Sequence, residues 1–148
     1  MLFPLPPSGI ITKGPERLRR LYMKTILLVE DEEMLRNLVR DLLVAQGFQV
    51  LEARHGMEAL SLMKASGATV DLILTDVVMP QMSGTELVDR VRSDYPGVKV
   101  IFMSGYTGKS NASIHKLLET PGVAFLQKPF RLNALINQVE TQLEVGSG

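Results

Sequence analysis

The chain has 148 residues, 45 % of them hydrophobic, which suits one ordinary domain with a true core plus a short extension. It has no cysteine, so disulfides and thiol chemistry are excluded, and 16 basic groups balance 16 acidic ones. Four of the basic groups (Lys13, Arg17, Arg19, Arg20) stand against Glu16 alone in residues 1–22. The remainder is therefore mildly acidic, with no electrostatic footprint for direct nucleic-acid binding. No apolar run approaches the roughly 20 residues that span a bilayer, so membrane insertion is not expected.

Residues 1–22 are rich in Pro and Gly and lack a sustained period. Their charge follows the apolar part and prolines interrupt it, which excludes a signal peptide. They read as a disordered leader or interdomain linker, with Met23, directly before the first strand, as an alternative start. From there a single domain is expected over 23–145, with 146–148 as a tail. TILLVE (25–30) is a buried-strand run. Leu35, Leu38, Val39, Leu42 and Leu43 follow at helical spacing, closed by Gly47. FQVLEA (48–53) reads as a strand and Met57 to Ala65 as a helix ending near Gly67. DLILTD (71–76) is a strongly apolar strand, and Thr85 to Ser93 a helix with Leu87, Val88 and Val91 inward, stopped before Pro96. KVIFMS (99–104) is a strand; Ile114, Leu117 and Leu118 suggest a helix before Pro121. VAFLQ (123–127) is the last strand, and Leu132, Leu135, Ile136, Val139 and Leu143 give a final helix its apolar stripe. Near-continuous apolar strands alternating with helices imply an α/β fold with a parallel sheet covered on both faces.

Ligands in such sheets bind beyond the carboxyl ends of the strands. The first strand ends at Glu30 and Asp31, the third at Asp76 and the fourth at Ser104; Lys128 and Pro129 follow the fifth. Three carboxylates on one rim repel one another unless a cation lies between them. An all-oxygen set selects a hard ion, and Mg²⁺ is the ordinary choice beside phosphate. A hydroxyl and an ammonium suit phosphoryl oxygens, which leaves one carboxylate as nucleophile. Each residue alone has a plainer explanation. An acidic run such as 30–33 commonly marks a solvated helix N-terminus, which accounts for Glu32 and Glu33. Asp76 alone reads as a turn or cap, Ser104 as a turn hydroxyl, Lys128 as a surface lysine. Their joint placement at the ends of four strands is the specific signal.

LLVEDE (27–32), DLILTDVVMPQMSG (71–84), VIFMSGY (100–106) and FLQKPF (125–130) resemble the response-regulator receiver domain, over roughly Lys24 to Leu143. The resemblance implies a flavodoxin-like, doubly wound five-stranded sheet of order 2-1-3-4-5, with helices on both faces. It implies that Asp76 accepts a phosphoryl group from a histidine kinase or histidine phosphotransfer protein in a Mg²⁺-dependent reaction. Asp31, Asp76 and the backbone carbonyl of Val78 would hold the ion directly, and Glu30 through water. Ser104 and Lys128 would meet the phosphoryl oxygens, and Ser104 with Phe125 would form the switch. Ordinary strand packing is the alternative for Phe125. The resemblance further implies a cis Lys128–Pro129 bond, a cytoplasmic location and a downstream protein target. The contact face would comprise the helix after the fourth strand, the fifth strand and the last helix; a phosphorylation-dependent homodimer is one form of output.

Three features depart from or refine the pattern. Glu30 is longer than the aspartate common there; Val78 and Tyr106 occupy variable positions tied to phosphoryl lifetime. SGYT with FLQKPF resembles receivers attached to hybrid sensor kinases more than those preceding DNA-binding modules. Three rivals stand against this reading. An aspartyl-phosphate phosphatase of the haloacid dehalogenase type needs a second acid two residues on, where Val78 stands. A flavin or nucleotide module needs a Gly- or hydroxyl-rich loop where this chain has four acids. A degenerate receiver would lack key residue types that are all present. The expectation is a signalling module and not an enzyme beyond its own phosphorylation and dephosphorylation. No effector motif follows Leu143, so output is expected through a protein contact, a second phosphotransfer or a separate domain.

Overall fold

A computed structural model describes residues 24–105 and 119–144. Five parallel strands form one sheet in the order β2-β1-β3-β4-β5: β1 (Thr25–Val29), β2 (Gln49–Ala53), β3 (Leu72–Asp76), β4 (Lys99–Ser104) and β5 (Val123–Gln127). Helices α1 (Glu33–Ala45), α2 (Gly56–Ser66), α3 (Gly84–Asp94) and α4 (Leu132–Glu144) connect or follow them. This is the flavodoxin-like order expected. The leader 1–22, the tail 146–148, Tyr106 and the helix expected around Ile114, Leu117 and Leu118 lie outside the described residues.

Side-chain alternation along the strands builds the two faces. Ile26, Leu28, Leu72, Leu74, Ile101 and Met103 pack with Val39 and Leu43 of α1 and Leu135, Val139 and Leu143 of α4. Leu27, Val29 and Ile73 point the other way, against Ala59 and Met63 of α2 and Leu87 and Val91 of α3. Both faces are covered, so β1 and β3 are buried at every position. Each such Leu or Ile contributes about 1.5–3 kcal/mol when fully withdrawn from water. Leu38 and Leu132, assigned inward by spacing, are in fact substantially exposed, and Met34 is more so. They lie at the margin of the apolar stripe, where helical spacing alone does not separate core from rim.

The loops are held by local chemistry. Gly47 takes φ 101° after α1, a conformation that glycine adopts without a Cβ penalty. The Ser83 hydroxyl accepts the Glu86 amide at 3.1 Å and caps α3. Gly84 packs against the backbone of Asp76 and Val77, its amide donating to the Val77 carbonyl at 2.8 Å. Helix α3 thus begins directly on the end of β3.

Candidate functional site

The parallel register brings the carboxyl ends of β1, β3, β4 and β5 to one rim. Asp76 pairs with Met103 and Ser104 with Gln127. The Val77 amide donates to the Met103 carbonyl at 3.0 Å and the Lys128 amide to the Ser104 carbonyl at 2.8 Å, so the ladder extends past the strand ends. Glu30 is anchored alongside, its amide on the Ala53 carbonyl at 3.1 Å. The Lys128–Pro129 bond is cis.

Glu30, Asp31 and Asp76 each offer a carboxylate oxygen within 4.8 Å of the others. Glu30 and Asp76 are buried, while Asp31 opens to solvent. Lys128 Nζ lies 2.6 Å from Asp76 Oδ1 and 2.8 Å from Glu30 Oε1. The second Glu30 oxygen accepts the Glu32 amide at 3.0 Å. Ser104 is buried at the end of β4. The sequence-assigned residues Glu30, Asp31, Asp76 and Lys128 therefore share one site, with Ser104 on the neighbouring strand end. Glu32 and Glu33, attributed to the helix start, are exposed as N-cap and first residue of α1.

The Val78 side chain points largely into solvent at 68 % exposure, leaving its backbone as the part available to the site. Phe125 is half-buried, opposite Phe102 in the ladder, beside Val77, Val88 and Val100. The sequence reading missed Arg36, whose Nη1 donates to the Glu30 carbonyl at 2.9 Å. An arginine on a polar helix turn carries no signal of such a contact.

Burial is the main force on the buried charges, and their partners decide where it leads. Burial pushes the Asp76 carboxyl up, the neighbouring Glu30 carboxyl pushes it further, and Lys128 offsets only part, leaving it at about 7. Glu30 also feels burial, but hydrogen bonds with Asp76, Lys128 and the Glu32 amide outweigh it and hold it below its usual range. Burial lowers Lys128, yet Asp76 and Glu30 more than compensate and keep it above its ordinary value. Glu30 and Asp76 thus bind a proton as one pair, Asp76 being raised and Glu30 lowered. An all-oxygen cluster of this charge suits a hard divalent cation, which would take the place of that proton.

A match to the response regulator receiver domain family spans residues 26–140. The chain belongs to that family. The receiver is 41 % identical over 120 residues to the sensor kinase CckA of Brucella abortus (strain 2308), covering 81 % of this chain and 12 % of that protein. It is 33 % identical over 122 residues to the response regulator receiver protein CpdR of the same strain, covering 82 % of this chain and 98 % of CpdR. The crystal structure of the receiver domain of the hybrid histidine kinase CckA superposes with a TM-score of 0.69 at 36 % identity, covering 81 % of this chain and 99 % of that one. A CheY-like receiver from Methanospirillum hungatei JF-1 gives 0.74 at 28 % identity, covering 83 % and 95 %. This receiver accordingly works in two-component signalling. Among its described residues no helix is long and apolar enough to cross a membrane.

Proposed function

We propose that Asp76 accepts a phosphoryl group from a phosphohistidine and that the acyl phosphate switches a protein-contact face. The observation that carries this reading is the Lys128–Asp76 ion pair at 2.6 Å in an acidic cluster whose Glu30 and Asp76 are buried and whose Asp31 opens to solvent. The Asp76 carboxylate attacks phosphorus, a P–O bond forms, and the P–N bond to the imidazole breaks. Lys128 is already beside the attacking carboxylate, and the Ser104 hydroxyl lies on the next strand end to receive a phosphoryl oxygen. Asp31, Asp76 and the Val78 carbonyl would hold Mg²⁺, with Glu30 acting through water; the ion would neutralise charge on the transferring group. Glu30 keeps Lys128 oriented towards Asp76 by holding its ammonium at 2.8 Å.

The donor is a histidine kinase or a histidine phosphotransfer protein, and the acceptor module corresponds to residues 23–145. Sensor kinases such as CckA contain the matching segment as a small part of their length, while CpdR is matched almost end to end. Both contexts require the same chemistry at Asp76 in the cytoplasm. Engagement of Ser104 by the phosphoryl group would bias Phe125, half-buried against Phe102, between two positions. The altered face then meets a downstream protein or a second copy of the chain. Incubation with a small phosphodonor and Mg²⁺ should add one phosphoryl group, read by intact mass. Asp76→Asn should abolish the addition; equal modification of that variant would refute the assignment.

A further inference from the structure

Arg36 stands outside the carboxylate site, on the second turn of α1, yet it reaches back to the turn that carries two of the acids. Its Nη1 donates to the Glu30 carbonyl at 2.9 Å. Its Nε lies 3.6 Å from Glu52 Oε1 on β2, and its side chain is only 12 % exposed. Glu52 also receives Arg40 Nη1 at 3.3 Å, so α1 is tied to β2 at two points. The guanidinium is thereby fixed between α1, β2 and the end of β1.

The Asp31 side chain is exposed, whereas Glu30 is buried and bonded at its amide, its carbonyl and both carboxylate oxygens. The backbone of Glu30 and Glu32 therefore sets where the Asp31 carboxylate sits relative to Asp76. Arg36 grips that backbone at the carbonyl nearest Asp31.

We infer that Arg36 is a positioning residue for the cation site: it holds the Glu30–Asp31 turn so that Asp31 and Asp76 present oxygens at a separation one divalent ion can bridge. The inference rests on the Mg²⁺ reading above. An arginine near a cation site also repels the cation, so the two effects have opposite signs. Glu52, shared with Arg40, offsets part of that repulsion, and we take the tether as the larger effect. A planar guanidinium can hold the carbonyl and Glu52 together; an ammonium keeps the charge but lacks the fork. Partners that orient metal ligands are commonly worth about 10–100-fold in affinity.

The test titrates Mg²⁺ by calorimetry into the full chain and into Arg36→Ala, Arg36→Lys and Glu52→Gln. Circular dichroism fixes a temperature at which these four and the Arg36→Ala/Glu52→Gln double variant are all folded. Arg36→Ala and Arg36→Lys should both bind about tenfold more weakly. Glu52→Gln should weaken binding less, and adding it to Arg36→Ala should cost nothing further. Unchanged or tighter binding by Arg36→Ala would overturn the inference, because the charge would then matter more than the tether. Parent-like binding by Arg36→Lys would overturn it equally, since the guanidinium fork would then not be needed to hold the turn. A parent chain that takes no Mg²⁺ would sink the metal reading itself, an outcome distinct from a parent that binds and a variant that binds as well.

Discussion

Asp76 stays near 7 in the ion-free protein because burial and Glu30 both oppose its ionisation. A carboxyl raised in the folded state favours folding while it holds its proton in that state. That contribution is complete below its ordinary value of 3.8 and is lost as pH rises through about 7. Glu30 is lowered, so its contribution runs the other way, present above its ordinary 4.5 and lost as pH falls. Without Mg²⁺, thermal stability should therefore decline between about pH 4 and 7, and Asp76→Asn should flatten that decline. Melting curves across this range check it; a parent that gains stability up to pH 7 would contradict the raised carboxyl. Mg²⁺ should bind more tightly as pH rises to about 7 and level off above it, because the ion competes with that proton. Asp31 is the exposed member of the carboxylate cluster. Asp31→Ala should abolish metal binding while leaving ion-free stability unchanged or slightly higher, by calorimetry and melting. Strong destabilisation would assign Asp31 a structural role.

At the scale of elements, the start of α3 couples the helix to the reactive strand. A Cβ on Gly84 would collide with the Asp76 carbonyl, and neither backbone can yield cheaply. Gly84→Ala should destabilise by about 3 kcal/mol or more and disturb the Asp76 loop, whereas Ser83→Ala should cost about 1 kcal/mol through the lost cap. Denaturant unfolding distinguishes them; equal, small losses would show that the loop accommodates a side chain. The element pattern was readable in the sequence because runs such as LILTD and KVIFMS are buried on both faces. The ends were less so. Glu30, Phe48 and Asp71 continue the apolar or extended pattern in sequence but fall just outside the strands. The polar Gln142 was also invisible as a core residue. It is buried because its amide donates to the Val100 and Gly122 carbonyls at 3.2 and 3.0 Å. Neighbouring charges along one strand end can be read from spacing; Arg36 and Glu52 meet only through the packing of α1 on β2.

Across the whole molecule, the sheet places chemistry from four strands at one edge while its interior is predominantly apolar. Phosphorylation is proposed to reach the contact face through Ser104 and Phe125. Amide exchange with and without a stable phosphoryl mimic should show altered protection at β5 and the preceding segment as well as near Asp76. Changes confined to the Asp76 loop would contradict a switch through Phe125. What matters most is the destination of the phosphoryl group. Its most direct measurement is reductive trapping of the phosphorylated chain with borohydride, which converts an aspartyl phosphate to homoserine, followed by peptide mass mapping. The account predicts homoserine at position 76 and nowhere else. Trapping at Asp31 instead, or a phosphorylated protein with an unmodified Asp76 peptide, would contradict it.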